Sequence, residues 1–152
     1  MTTEIKVDLS PAELHALGGI AETMIPGNIE RAVPRADDPA ILADIVRSIG
    51  RDLPLIRTAL AEIDKRAGGA FASLDRARRE AVIDDWYVAG GPAAAALGRV
   101  VLSAYYRDDR VLRALGLEAR APFPKGHEVE QGDWGLLDPV KRRAPFWRDD
   151  RR

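Results

Sequence analysis

Residues 92–116 carry the most apolar pattern of the chain, and this pattern predicts a central helix. Between residues 93 and 104 apolar side chains fall on nearly every helical face, and small residues such as Gly98 would let neighbouring helices approach closely. A helix that is apolar all round is normally buried. The charged residues 107–109 then predict a corner with a helix-starting aspartate, and Gly116 predicts the end of a short helix that follows.

Four earlier helices are predicted from apolar residues at helical spacing. They begin near Ser10, Asp38, Pro54 and Asp75. Gly50 and Pro54 predict either two helices that meet near residues 51–52 or one long helix that kinks there, and we expect two. The residues expected to face the core are Leu14, Leu17, Ala21, Met24, Ile25, Ile41, Leu42, Ile45, Val46, Ile49, Leu53, Ile56, Leu60, Ile63, Ala81, Val82, Ile83 and Trp86, with Phe71 and Leu74 as apolar plugs in a connection.

The fold class follows from these elements. No stretch alternates apolar and polar residues as a strand would, and no internal repeat is present. The sequence therefore predicts an all-α bundle of about five or six helices over residues 1–117, followed by a long extended C-terminal tail over residues 118–152. Within the tail only residues 136–143 are expected to form a helical turn or two.

The tail is punctuated by proline and glycine, yet it carries large apolar side chains, including two of the three tryptophans. Such side chains must be buried on something. We expect the tail to pack on its own bundle, as part of a single domain, and on a partner subunit.

Composition restricts the kinds of site that the chain can hold. With 23 basic and 24 acidic residues the formal net charge is −1, which gives no general reason to expect nucleic acid or an anionic membrane as a partner. The absence of cysteine excludes disulfides, thiolate catalysis and cysteine–metal sites. The N-terminus shows no secretory signal, and no apolar run approaches the length of a membrane span, so we expect a cytoplasmic protein.

Candidate chemistry is sparse. His15 and His127 show no ligand spacing, the adjacent aspartate pairs are typical of caps and solvated charges, and the glycine doublets do not form a phosphate loop. The basic cluster at residues 141–143 is flanked by aspartates, which disfavours a nucleic-acid patch. We therefore expect no catalytic, cofactor-binding or metal-binding residue in this chain.

Tyr105 and Tyr106 admit two interpretations. In the first, one ring packs in the core and the other covers the tail. In the second, the pair is a contact platform for a partner.

Five segments that span most of the chain carry a family pattern: AETMIPG at residues 21–27, FASLDRARREAVI at 71–83, VLSAYYRDDRVLRALGL at 101–117, PFPKG at 122–126 and LLDPVKRRAPFWR at 136–148. Together, and in this order, they resemble the family of small subunits typified by subunit 3 of membrane-linked gluconate 2-dehydrogenase. Related small subunits accompany flavin-dependent glucose, fructose and glucoside 3-dehydrogenases.

The resemblance implies a role rather than a catalytic site. The resemblance implies that this chain is a non-catalytic companion of a large FAD-dependent chain of the glucose–methanol–choline type. It would support the folding, stability and maturation of that large chain. The large chain oxidises a sugar, glycoside or alcohol, and some complexes add a haem-containing cytochrome subunit. The residues expected at the interface with the large chain are Tyr105, Tyr106, Phe123, Trp134, Leu136, Leu137, Arg142, Arg143, Phe146 and Trp147.

The sequence departs from the family in one respect and leaves two other functions open. Members that deliver their partner across the membrane often begin with a twin-arginine signal, which is absent here; periplasmic location by co-export with the partner is the alternative to a cytoplasmic complex.

The chain could also be a self-associating structural or regulatory module whose tail swaps onto a second copy. A free-standing small enzyme would have to use residues around Tyr105, Asp109 and His127.

Overall fold

Seven α-helices are present in the computed structural model, which describes residues 8–120, 126, 128 and 130–144. Six form the predicted bundle, and the seventh is a single turn in the tail: α1 Pro11–Met24, α2 Pro39–Ile49, α3 Leu53–Arg66, α4 Arg76–Ala89, α5 Pro92–Tyr105, α6 Asp109–Ala114 and α7 Asp138–Lys141. Among these described residues the only β pairing is one antiparallel bridge between Asn28 and Val33. The all-α prediction is confirmed.

The chain divides into two compact units, Met1–Arg120 and Ala121–Arg152, close to the predicted boundary between bundle and tail. Within the part of the chain that the structure describes, no helix has the length and apolar character needed to cross a membrane. How the tail packs on the bundle stays a prediction.

Helix α1 begins with the predicted capping box. The Ser10 hydroxyl accepts a hydrogen bond from the Glu13 backbone N–H at 3.2 Å, and the Glu13 carboxylate accepts one from the Ser10 N–H at 2.7 Å. This backbone hydrogen bond is the main reason why the pKa of Glu13 lies below its usual value. The box satisfies two N–H groups that the first helical turn would otherwise leave unpaired.

Two residues of the predicted core, Leu14 and Ala81, are exposed, and so is one residue of the central helix that was expected to be buried. Leu14 is 39% exposed because it lines the open mouth of a cleft, while Ile20, which was not predicted, is buried. Ala81 is exposed because it lies two positions before the buried Ile83, on the opposite side of α4. Leu102, on the central helix, is 43% exposed.

Helices α2 and α3 are separate, as predicted. Gly50 adopts a φ of 46° and opens a short 3₁₀ turn, Gly50–Asp52, before Pro54 enters the first turn of α3. Both helices then turn one apolar face inward, with Ile41, Ile45 and Ile49 buried on α2 and Ile56, Leu60 and Ile63 buried on α3.

Helix α5 is the central helix of the bundle and packs against both α2 and α3. Nine of its fourteen residues are buried, and the close packing depends on small side chains. At Gly98 a Cβ atom would lie 2.0 Å from the Tyr87 hydroxyl oxygen, so the absence of a side chain there is what admits Tyr87 of α4.

The connection before α4 and α4 itself each supply one large core side chain. Phe71 is buried, as predicted for a plug, and its backbone N–H donates to the Asp64 carboxylate at 3.2 Å. Trp86 is also buried, and its indole N–H donates to the Glu62 carboxylate at 2.7 Å. A buried indole therefore has the hydrogen-bond partner that its N–H requires.

A charged cluster fastens α6 to α2. Asp108 caps α6 and Asp38 caps α2, and the Arg110 guanidinium donates to both carboxylates, at 2.8–3.0 Å from Asp38 and 2.9–3.0 Å from Asp108. These side-chain hydrogen bonds are the main reason why the pKa values of Asp38 and Asp108 lie below their usual value. Arg107 makes a second link through Asp44, at 2.6 Å.

Candidate partner-binding surface

The described part of the tail contains a short segment, residues 134–143, which we call the anchor segment and which is helical up to Lys141. It begins with a 3₁₀ turn, Trp134–Leu137, in which the Asp133 carboxylate accepts a hydrogen bond from the Gly135 N–H at 2.9 Å. Helix α7 follows directly, with Pro139 in its first turn. The helical turns predicted for residues 136–143 are thus present, but they begin and end two residues earlier, at Trp134 and Lys141.

The anchor segment exposes all of its large apolar side chains. Trp134 is 66% exposed and Leu136 75%, while Leu137 and Val140 are 42% and 52% exposed. The Trp134 indole N–H donates to the Gln131 side chain at 3.3 Å, a local contact that covers little of the ring. Four such side chains on so short a segment form a concentrated apolar surface of the kind found at protein–protein contacts.

Basic side chains follow the apolar ones at the end of the anchor segment. Lys141 pairs with Asp138 at 3.4 Å, and the Arg142 Nε–H donates to the Asp138 carbonyl oxygen at 3.2 Å. Within the described ranges neither Arg142 nor Arg143 forms an ion pair with a carboxylate, in contrast to most arginines of residues 8–120. Two guanidinium groups are therefore available for carboxylates on another molecule.

The two tyrosines at the end of α5 have different environments. Tyr105 is buried, and its hydroxyl donates to the Pro34 carbonyl oxygen at 3.0 Å; burial raises the pKa of its phenol. Tyr106 is 53% exposed and meets the Tyr105 ring edge to face, with centroids 5.3 Å apart. Tyr105 thus belongs to the core, where its ring is inaccessible to a partner, and only Tyr106 remains as an exposed candidate contact.

Three of the expected interface residues, Phe123, Phe146 and Trp147, lie outside the described residues, as does His127. The free-standing enzyme hypothesis would have to use Tyr105 and Asp109, and both side chains already have partners. The Tyr105 hydroxyl donates to the Pro34 carbonyl oxygen, and Asp109 pairs with Arg113 at 3.0 Å.

Two open clefts flank His15, which is exposed on α1. The larger, of about 590 Å³, lies between α1, α3 and the Phe71 turn, and the Glu13–Arg57 ion pair at 2.9 Å lies on its lining. The smaller, of about 520 Å³, includes Arg79, which pairs with Glu22 at 3.0 Å. Sequence reasoning missed both clefts, because they depend on side chains from helices distant in the chain.

The described residues contain no group of three histidine, aspartate or glutamate side chains placed to hold a metal ion. Sequence reasoning also missed two exposed apolar residues of the bundle, Ile29 and Leu102. Ile29 carries no periodic signal because it lies in a loop, whereas Leu102 was assigned to the buried surface because its helix is apolar on all faces.

No family model, no curated protein and no solved structure matches this chain.

Proposed function

We propose that this chain is the non-catalytic small subunit of an oxidoreductase complex. In this proposal it stabilises, and helps to mature, a large FAD-dependent chain of the glucose–methanol–choline type that oxidises a sugar, glycoside or alcohol. The large chain holds the FAD, a cytochrome subunit can complete the assembly, and the complex is cytoplasmic. The partner's class comes from the sequence resemblance, and the binding role comes from the surface described above.

The observation that carries the binding role is the exposure of the anchor segment. Trp134, Leu136 and Leu137 present a large apolar surface to water, although the bundle buries its own core side chains well. Burying one such side chain contributes about 1.5–3 kcal/mol. Tryptophan and arginine, both present in the anchor segment, are enriched among the residues that contribute most of the binding energy at protein interfaces.

The charges of the anchor segment agree with this role. Arg142 and Arg143 follow the apolar side chains in the chain and make no ion pair within the described residues. Since a guanidinium can pair with a carboxylate through two parallel hydrogen bonds, we expect the large chain to present carboxylates beside an apolar depression.

The proposal is tested by purifying a tagged full-length chain from its native cells and recording its visible absorption spectrum and native mass. A yellow complex with one much larger chain supports the proposal. A colourless species with the mass of two copies would instead support self-association, because the same exposed segment could be buried on a second copy. A colourless species of single-chain mass would contradict both.

A variant experiment locates the contact. In the double variant Trp134→Ala/Leu137→Ala, we expect affinity for the large chain to fall by at least 30-fold, which corresponds to about 2 kcal/mol. Val88→Ala is the matched control because Val88 is 88% exposed and lies on α4, in the other unit. Equal capture of the large chain by the double variant and the control would refute the assignment of the anchor segment.

A further inference from the structure

The smaller of the two clefts beside His15, which we call the Arg79 cleft, lies where α1, α2 and α4 meet. Its volume of about 520 Å³ falls within the range of about 300–1,000 Å³ that is typical of small-molecule sites. Leu14 and Leu42 line it together with the charged residues Glu22 and Arg79. All four belong to the bundle unit, so the cleft is formed within one compact unit.

The ion pair that lines the Arg79 cleft is largely removed from water. Arg79 donates to the Glu22 carboxylate at 3.0 Å, and the two side chains are only 18% and 19% exposed. The Arg79 Nε–H is buried and has no hydrogen-bond partner in the described part of the chain. Because desolvation offsets the attraction within such a pair and an unpaired buried donor costs free energy, this arrangement contributes little to the stability of the fold.

Two consecutive glycines in the interior of α1, Gly18 and Gly19, also line the cleft. Glycine inside a helix is less stable than alanine. Packing does not require glycine at either position, because a Cβ atom would lie 3.5 Å from Leu42 at Gly18 and 3.7 Å from the Arg79 Nη1 at Gly19, which are ordinary contact distances. At Gly98, by contrast, the Cβ would lie 2.0 Å from an oxygen. Gly18 and Gly19 therefore provide open space rather than close packing.

Three departures from stable packing thus occur at one cleft. They are the mostly buried ion pair with its unpaired N–H, the two glycines inside α1, and Leu14, an apolar residue that is exposed at the mouth of the cleft. Departures of this kind are expected where a chain gives up stability for function.

We infer that the Arg79 cleft binds a small neutral ligand that carries several hydroxyl groups, with a monosaccharide as the simplest example. The inference is argued from the bundle alone and does not rest on the proposed function. Its failure would therefore leave the proposed function untouched.

The charges of the lining indicate the class of ligand. Glu22 and Asp37 are acidic and Arg79 is basic, so an ionic ligand would meet a group of its own sign. Both Asp37 oxygens already accept from Arg35, which leaves Glu22 and Arg79 as the charged groups for a ligand. A hydroxyl group suits both of them, because it can donate to a carboxylate and accept from a guanidinium.

The apolar part of the lining agrees with a sugar ring. Leu14 and Leu42 offer hydrocarbon surface in the same cleft as the ion pair. A sugar carries C–H groups as well as hydroxyls, so it can cover apolar surface while its hydroxyls reach the charged side chains. His15, exposed at the rim, adds an imidazole that can donate or accept.

The test is a titration of the purified full-length chain, labelled with ¹⁵N, with glucose, galactose and mannose in turn. The expected result is a saturable movement of the amide signals of Gly18 and Gly19, with a dissociation constant on the order of 1 mM for at least one sugar. The amide signal of Val88, near the end of α4 and outside the cleft, should stay in place.

Two variants with matched controls locate the site. Gly19→Leu places a side chain in the cleft and should weaken sugar binding by about 10-fold or more without lowering the melting temperature, because leucine is a good helix former. Ala81→Leu is its control, since Ala81 is exposed on α4 outside the cleft. Glu22→Gln should weaken binding by about 10-fold through loss of a charged acceptor, whereas Glu80→Gln, in an exposed pair on α4, should not.

The remaining outcomes would overturn the inference. Gluconate, a carboxylate of similar size, should bind at least about 10-fold more weakly than the neutral sugar, and tighter binding of gluconate would contradict the class of ligand. Signals that do not move with any of the three sugars, or that move over the whole surface without saturation, would refute the site. Equal affinities of Gly19→Leu and Ala81→Leu would place the ligand elsewhere on the chain.

Discussion

Arg110 donates two hydrogen bonds to Asp38, which lies 72 positions earlier in the chain. Asp38 is also the N-cap of α2, where it accepts from the Ala40 N–H at 3.0 Å. The same guanidinium binds Asp108, the N-cap of α6. One side chain therefore joins the beginnings of two helices and supports the corner after α5.

Replacing this arginine should destabilise the protein measurably. Arg110 is half exposed, which screens its charge, so we expect Arg110→Met to lower the free energy of unfolding by about 1 kcal/mol. Arg113→Met is the control, because Arg113 makes only an exposed i, i+4 pair with Asp109; its cost should be below about 0.5 kcal/mol. Urea unfolding of the two variants measures the difference in the free energy of unfolding. Equal costs would contradict a stabilising role for the hydrogen bonds from Arg110 to Asp38 and Asp108.

The same variant has a defined pH dependence. Because the folded-state pKa values of Asp38 and Asp108 lie below 3.8, their stabilisation is fully present above that pH and is lost as the pH falls through the folded values. The difference in unfolding free energy between the unchanged chain and Arg110→Met should therefore be constant near neutral pH and shrink below about pH 4. A difference that stays constant down to pH 2 would show that the carboxylates are not responsible.

Alanine substitutions at Gly98 of α5 and, for comparison, at Gly18 of α1 test the packing of α5. Gly98→Ala should cost about 1–2 kcal/mol, since the new Cβ would meet the Tyr87 hydroxyl oxygen and displace the ring. Tyr87→Phe should restore much of this loss in the double variant, because only a ring carbon at 3.3 Å remains nearby. In Gly18→Ala, by contrast, the Cβ would lie 3.5 Å from Leu42, so this helical substitution should be neutral or stabilising. Additive effects of Gly98→Ala and Tyr87→Phe in a double-mutant cycle would contradict the contact.

Gly27, in the loop between α1 and α2, allows a second test of close packing at a glycine. Gly27→Ala combines a left-handed backbone with a Cβ that would lie 2.8 Å from a backbone nitrogen, and we expect a cost of about 2–4 kcal/mol. Gly68→Ala has a similar φ of +73° but no atom within 4 Å, so it should cost only about 1 kcal/mol. Thermal unfolding of both variants isolates the effect of the close approach, and similar melting temperatures would refute it.

Tryptophan fluorescence can report the anchor segment directly. Trp86 is buried and Trp134 is largely exposed, so the difference between the emission of the unchanged chain and of Trp134→Phe should show a water-exposed, easily quenched indole. When the large chain binds, this difference spectrum should move to shorter wavelength and resist quenching by iodide. A difference spectrum that binding leaves unchanged would place Trp134 outside the interface.

Much of the bundle could be predicted because its signals are local. Ser10, Asp38 and Asp75 accept the capping hydrogen bonds expected of them, and Gly50 separates α2 from α3. The apolar positions of α2 and α3 were also predicted correctly, because each of these helices has one apolar face.

The remaining features depend on neighbours that periodicity cannot identify. Leu14 fits the apolar spacing of α1 but lies at the mouth of a cleft. One of the two interpretations of the tyrosine pair placed one ring in the core, yet the choice of Tyr105 depends on Pro34, 71 positions earlier. Ile29 is exposed because it lies in the loop that the Asn28–Val33 bridge closes, and this bridge has no periodic signal in the sequence.

The burial of α5 has a consequence for the order in which the chain is made. Its packing partners, α2 and α3, leave the ribosome first, and they remain without their central helix until residue 105 has been synthesised. Because domains generally form as units during synthesis, the bundle can close only late. The anchor segment emerges later still, so every residue of the bundle is synthesised before the segment that we propose binds the large chain.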